Sequence, residues 1–239
     1  MNTRSTRISS TALLTGLSVG VLALSSFQAI AQNAALQEKV AQIKQAAAAN
    51  KAALSHYTWQ EQVQVSLKGD VKSTKLYQVV MQNGQQQKSE ISGTPQAAPS
   101  GGRLKRHIVE KKTDEFQQYG QSIAALAKQY AAPNPQAMDQ AKAQGNISLQ
   151  PDAGNGTVSL VIKSYIKPGD SVTLTFNTQE KGLVSVNVNT YLTDPKDAVT
   201  MAINYAKLPS GVNHVATMQI NGESKQMGVN IQNSNYQQL

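Results

Sequence analysis

Hydrophobic and polar positions alternate with three successive periods along this chain. Between Ala34 and Leu54 the apolar residues Leu36, Val40, Ile43, Ala47 and Leu54 recur at helical spacing, which predicts an amphipathic helix with Asn33 as its cap. The alanine run 46–49 adds propensity but little apolar bulk, so such a helix must gain stability by packing on another element. From Tyr57 to Leu67 the period falls to two: Tyr57, Trp59, Val63, Val65 and Leu67 share one side, and Thr58, Gln60, Gln62, Gln64 and Ser66 the other. That is the pattern of a half-buried antiparallel strand. Two more strands are predicted at Val71–Met81 and Gln85–Ser92, joined at Asn83-Gly84, a strong hairpin pair. Gly93–Gly102 reads as a flexible connector.

The helical period returns over Gly101–Gln144, where Leu104, Ile108, Phe116, Tyr119, Ile123, Leu126 or Ala127, and Tyr130 trace one stripe. Arg106 with Glu110 and Lys111 with Glu115 add i,i+4 pairs on the solvated side. Pro133 and Pro135 end this helix, and a shorter one, Pro135–Gln144, closes at Gly145. Period two then persists: Ile147–Gln150, Thr157–Ile166, Ser171–Asn177, Leu183–Leu192, Ala198–Leu208, His214–Ile220 and Lys225–Tyr236. In one of these strands Val184, Val186, Val188 and Leu192 alternate with Ser185, Asn187, Asn189 and Tyr191. Reversing residues separate the strands, at 167–170, 181–182, 209–211 and 221–222. The implied fold class is α+β: a single curved antiparallel sheet, an incomplete barrel of about ten strands, with an N-terminal helix and a central helical insertion packed on it. Segment 101–144, lying between two β blocks, is a lid candidate.

The N-terminus alters the picture by giving an address. Arg4 and Arg7, an apolar run Ala12–Phe27 and the small-residue site Ala29-Ile30-Ala31 form the parts of a secretory signal, with cleavage expected after Ala31. An uncleaved anchor fits less well, since Thr15, Gly16, Ser18, Gly20, Ser25 and Ser26 interrupt the run. The expected organisation is therefore a signal at 1–31 and one domain at 32–239, periplasmic or secreted. The chain has no cysteine, which excludes a lipidated cysteine and disulfide staples. A formal charge of +8 suits an anionic membrane surface, although only 15% of residues are charged. Basic and aromatic residues are not interleaved, so nucleic acid is not an expected partner.

Candidate chemistry is sparse. His56, His107 and His214 stand far apart without acidic neighbours at ligand spacing, so no metal and no cofactor is expected. No G-x-S-x-G occurs, and the paired carboxylates Asp114/Glu115 and Asp194/Asp197 read as a helix face and a turn, which favours a protein that is not an enzyme. Asn146-Ile147-Ser148 and Asn155-Gly156-Thr157 fit the glycosylation pattern but also fit strand-start and turn chemistry. Arg103, Lys105 and Arg106, with Lys111 and Lys112, cluster where the central helix begins. They are read either as an anion or lipid-headgroup contact or as a solvated helix start.

In layout, a signal, a helix, an antiparallel block, a helical insertion and a second meander, the chain resembles the LolA-like periplasmic lipoprotein carriers over roughly Asn33–Tyr236. The stretches YTWQEQ from Tyr57, GGRLKR from Gly101 and NSNYQ from Asn233 also resemble an uncharacterised family of exported bacterial proteins. The carrier resemblance implies an apolar hollow between sheet and helices that accepts lipid or lipoprotein acyl chains. On this chain Trp59, Phe116, Tyr119, Ile123, Tyr130, Val186 and Val188 are the expected groove residues. The carriers also place a basic residue on an early strand to hold the lid, whereas this strand offers Gln60, Glu61, Gln62 and Gln64. Two functions therefore compete: an envelope carrier or sensor of a lipid or lipid-modified partner, and a scaffold whose core is filled and takes no small ligand.

Overall fold

The structure, a computed structural model, describes residues 48–82, 85–93, 103–131, 134–152, 154–180 and 182–239, with backbone alone at 103–112 and Pro135. The expected signal at 1–31, the part of the expected first helix before residue 48, the expected hairpin pair Asn83-Gly84 and most of the 93–102 connector lie outside the described residues. Residues 48–54 are helical and are labelled α1. They lead into β1 (Tyr57–Leu67), β2 (Asp70–Gln82) and β3 (Gln85–Gly93). The insertion is α2 (Arg103–Ala131) and α3 (Pro135–Ala143). There follow β4 (Ile147–Asp152), β5 (Thr157–Lys163), β6 (Ser171–Asn177), β7 (Gly182–Tyr191), β8 (Ala198–Lys207), β9 (Asn213–Gly222) and β10 (Met227–Gln238).

All ten strands form one antiparallel sheet in the order β3-β2-β1-β10-β9-β8-β7-β6-β5-β4, with β3 and β4 as unpaired edges, so the barrel is incomplete. The last strand completes the sheet by pairing with the first, Val63 opposite Ile231 and Val65 opposite Val229. Each half is a meander of neighbours in sequence, as the turn residues require. Among the described residues no helix is long and apolar enough to cross a membrane.

Strand periodicity becomes a two-faced sheet. On the inner face Leu149, Leu160, Leu174, Val186, Ile203, Met218, Ile231 and Val63 stand opposite one another in an unbroken row across eight strands. A parallel row runs Ile147, Ile162, Val172, Val188, Met201, Ile220, Val229 and Val65. Leu149, on the edge strand, is 39% exposed; burying each of the others contributes up to about 1.5–3 kcal/mol, and they make one continuous core with α2 and α3. On the outer face, flanking the first of these rows on the side away from the second, stand Gln150, Ser159, Thr175, Ser185, Asn204, Thr217, Gln232 and Gln62, a row without a single charge. Within it Asn204 Nδ2 donates to Thr217 Oγ1 at 3.2 Å.

Local chemistry shifts some expected boundaries. β5 stops at Lys163 rather than Ile166 because the Asp170 carboxylate gathers the backbone N–H groups of Tyr165, Ile166 and Lys167 into a turn. Val184, expected on the buried face, is 38% exposed. A bulge pairs Phe176 with Leu183 and Thr175 with Ser185, which leaves Val184 as the extra residue. Gly145 closes α3 with φ +71°, the left-handed conformation expected of it.

Candidate functional site

The inner face is a large apolar surface built by the strands, and its geometry is set by where α2 crosses it. The C-terminal half of α2 buries Tyr119, Ile123, Leu126, Ala127 and Tyr130, the stripe expected from its spacing, while Phe116 is half-buried. The helix is seated over the strand ends. A Cβ at Gly222, the last residue of β9, would lie 2.6 Å from Ile123 Cδ1 and 2.6 Å from Tyr119 Oη. The absence of a side chain there is what lets α2 come down onto the sheet.

Two phenols fasten the helix. Tyr119 Oη donates to Asp197 Oδ1 at 2.8 Å, in the β7–β8 turn. Tyr130 Oη donates to Asp170 Oδ2 at 2.6 Å, before β6, and meets Thr190 Oγ1 at 2.7 Å. Asp170 is 2% exposed, so this phenol supplies a fourth donor to a carboxylate already holding three backbone amides. Burial first, and then the hydrogen bond to Asp170, push the Tyr130 phenol well above its ordinary range. Past the end of α2, the Asn134 backbone N–H donates to Tyr165 Oη at 2.8 Å, and Asn134 Oδ1 caps α3 through the Ala137 N–H at 3.1 Å. On the solvated side Glu115, expected to pair within its own helix, lies 3.8 Å from Lys225 of the β9–β10 turn.

These anchors all fall on the end row of the inner face, with Thr190, Val199, Gly222, Met227 and Leu67 opposite one another. Adjacent inner rows are about 6.8 Å apart, two residues along a strand. The row through Val186, Ile203 and Met218 therefore lies about 13 Å beyond the anchors. Further still, away from α2, the face changes character. Glu61, at an inward position of β1, is 4% exposed and both its carboxylate oxygens accept from Lys88 Nζ of β3, at 2.6 and 2.8 Å. Beside it Trp59 stacks on Tyr236, with ring centroids 5.4 Å apart, and Tyr236 meets His214 at 4.2 Å. Burial keeps the His214 imidazole below its usual range.

The expected groove residues divide between these regions. Phe116, Tyr119, Ile123, Tyr130, Val186 and Val188 belong to or pack against one core cluster, whereas Trp59 lies outside that cluster among the polar and aromatic residues of β1 and β10. Arg103, Lys105 and Arg106 open α2, but their side chains lie outside the described residues. The buried Glu61–Lys88 pair escaped sequence reasoning. Its signal was an acidic residue in the apolar phase of β1, between Trp59 and Val63. Among the described residues no cluster of histidine and acidic side chains could hold a metal ion.

No family model matches the chain, and none of the curated proteins is similar to it. Among solved structures it is similar to a DUF1329 family protein from Desulfovibrio piger, with 11% identity and a TM-score of 0.34 over 83% of this chain and 92% of that one. It is also similar to a LolA superfamily protein from Nitrosomonas europaea, with 8% identity and a TM-score of 0.30 over 79% and 90% of the two chains. Similarity this distant bears on neither ligand nor activity. The incomplete antiparallel sheet with helices packed on it, read from the sequence, is the architecture present.

Proposed function

We propose that this protein is exported to the cell envelope and there binds or carries a lipid or a lipid-modified partner, whose acyl chain lies along the inner rows of the sheet. The observation that carries the reading is a mismatch of extents. Two apolar rows run unbroken across eight strands, whereas among the described residues the polar anchors of α2 lie at one end of them. A helix about 10–12 Å wide cannot by itself seal strands about 33 Å long. The rest of the face is apolar surface suited to a hydrocarbon chain. The role is binding, not catalysis.

A second reading has its own observation. The middle-row residues Leu160, Val186, Met218, Ile231 and Val63 are buried, as they would be in a scaffold with a filled core. Native mass spectrometry of the purified protein against a lipid panel, with a urea melt of Phe116→Ala, separates the two. A carrier takes up acyl ligands, and the substitution changes uptake while the sheet stays folded. Absence of any bound lipid, with a stability loss of about 3–5 kcal/mol, would leave the scaffold.

A further inference from the structure

On the wing of the inner face away from α2, four polar atoms are buried without a hydrogen-bond partner among the described residues: Trp59 Nε1, Asn233 Oδ1, Gln86 Oε1 and Tyr205 Oη. Their positions are related by the sheet. Asn233 stands opposite Glu61 in the β1–β10 pair. Trp59 is two residues from Glu61 on the same face and opposite Val79, which in turn stands opposite Lys88. Gln86 is two residues from Lys88 on the same face of β3. Tyr205 stands opposite Val215, whose carbonyl accepts from Asn233 Nδ2 at 2.9 Å. The only tryptophan in the chain, 2% exposed, thus presents an unused N–H among unused acceptors. Buried polar atoms left unpaired in this way are costly and uncommon, and each calls for a reason.

We infer that this wing is a binding site for the uncharged, hydroxyl- or amide-bearing head of an amphiphile. The inference rests on the carrier reading, in which the same molecule's chain lies on the apolar rows. Complementarity fixes the chemistry. An indole N–H needs an acceptor, two amide oxygens need donors, and the Tyr205 hydroxyl serves as either. A hydroxyl or carboxamide supplies both roles at once. A phosphate or carboxylate head would face the amide oxygens of Asn233 and Gln86, while the ammonium groups of this face, Lys88 and Lys75, already hold the carboxylates of Glu61 and Glu90. A cationic head would find both of those carboxylates neutralised in the same way.

Trp59 makes the site self-reporting. Purified protein is titrated with monopalmitoylglycerol, with lysophosphatidic acid of the same acyl chain and with hexadecane, following heat of binding and Trp59 emission together. The expected result is that the glycerol head binds about tenfold more tightly than the phosphate head, as unpaired acceptors reject an anion, and shifts Trp59 emission. Asn233→Leu, or Gln86→Met should the first fail to fold, is expected to weaken monopalmitoylglycerol about fivefold to tenfold and leave hexadecane unchanged. Equal affinity for both heads, or binding that leaves Trp59 emission unmoved, overturns the site while the carrier reading stands. No binding of any of the three overturns both.

Discussion

At the scale of single residues, polar groups inside an otherwise apolar face set the most informative energies. Glu61 and Lys88 are each 6% exposed at the side chain and satisfy one another directly. Removing one partner strands a buried charge, which costs about 3–5 kcal/mol, whereas replacing both with apolar residues of similar volume is often neutral or stabilising. Lys88→Met alone is therefore expected to lower the urea midpoint sharply, and Glu61→Leu with Lys88→Met to restore it. If the double variant is as weak as the single, the pair is not the isolated buried interaction described here.

At the scale of elements, the seating of α2 on Gly222 is the contact most open to disruption. A methyl group there meets Ile123 and the ring of Tyr119 at once, with Tyr119 Cε1 at 2.8 Å, and Tyr119 is not free to swing aside because Asp197 holds its hydroxyl. Gly222→Ala is expected to cost about 1–3 kcal/mol as an overpacked contact. Amide exchange should rise in α2 from Phe116 to Tyr130 and not in β5–β7. Unchanged exchange in α2 would show that the helix is not held at this point.

Period-two alternation and reversing residues made the ten strands legible in the sequence, and the helical stripe made α2 so, because all of these act locally. Not legible were the devices that act across the fold. Gly222 reads as half of an Asn-Gly turn until a helix is placed over it. Asp170 reads as a turn residue, and nothing in its neighbourhood announces that Tyr130, 40 positions earlier, completes its shell. Glu61 was visible only as a break in phase. Its partner Lys88 lies 27 residues on, in a strand whose burial depends on β2 in between.

At the scale of the molecule, the buried titratable groups set a pH window. Burial raises the phenols of Tyr77, Tyr119, Tyr130, Tyr165, Tyr205 and Tyr236 above the ordinary 10.0. Above that pH the unfolded chain loses phenolic protons that the folded chain keeps, so stability falls as pH rises. His214 is lowered from 6.5 by burial, so below 6.5 the unfolded chain takes up a proton that the folded chain does not, and stability falls as pH drops. Urea midpoints should be highest between these limits and lower at about pH 5 and pH 11 than at pH 8, with tyrosinate absorbance appearing together with unfolding on the alkaline side. Tyrosinate formed by more than two of the eight tyrosines well before unfolding would mean that these six phenols are not buried as described.

The central claim is that an acyl chain occupies the inner rows of the sheet. Its most direct test is photo-crosslinking with a monoacylglycerol carrying a diazirine in its chain, followed by mapping the modified residues. The account predicts adducts on inward residues of β8, β9, β10 and β1, such as Ile203, Met218, Ile231 and Val63, that are displaced by excess unlabelled lipid. Adducts confined to outward residues such as Asn204, Thr217 and Gln62, or no displaceable adduct at all, would contradict it.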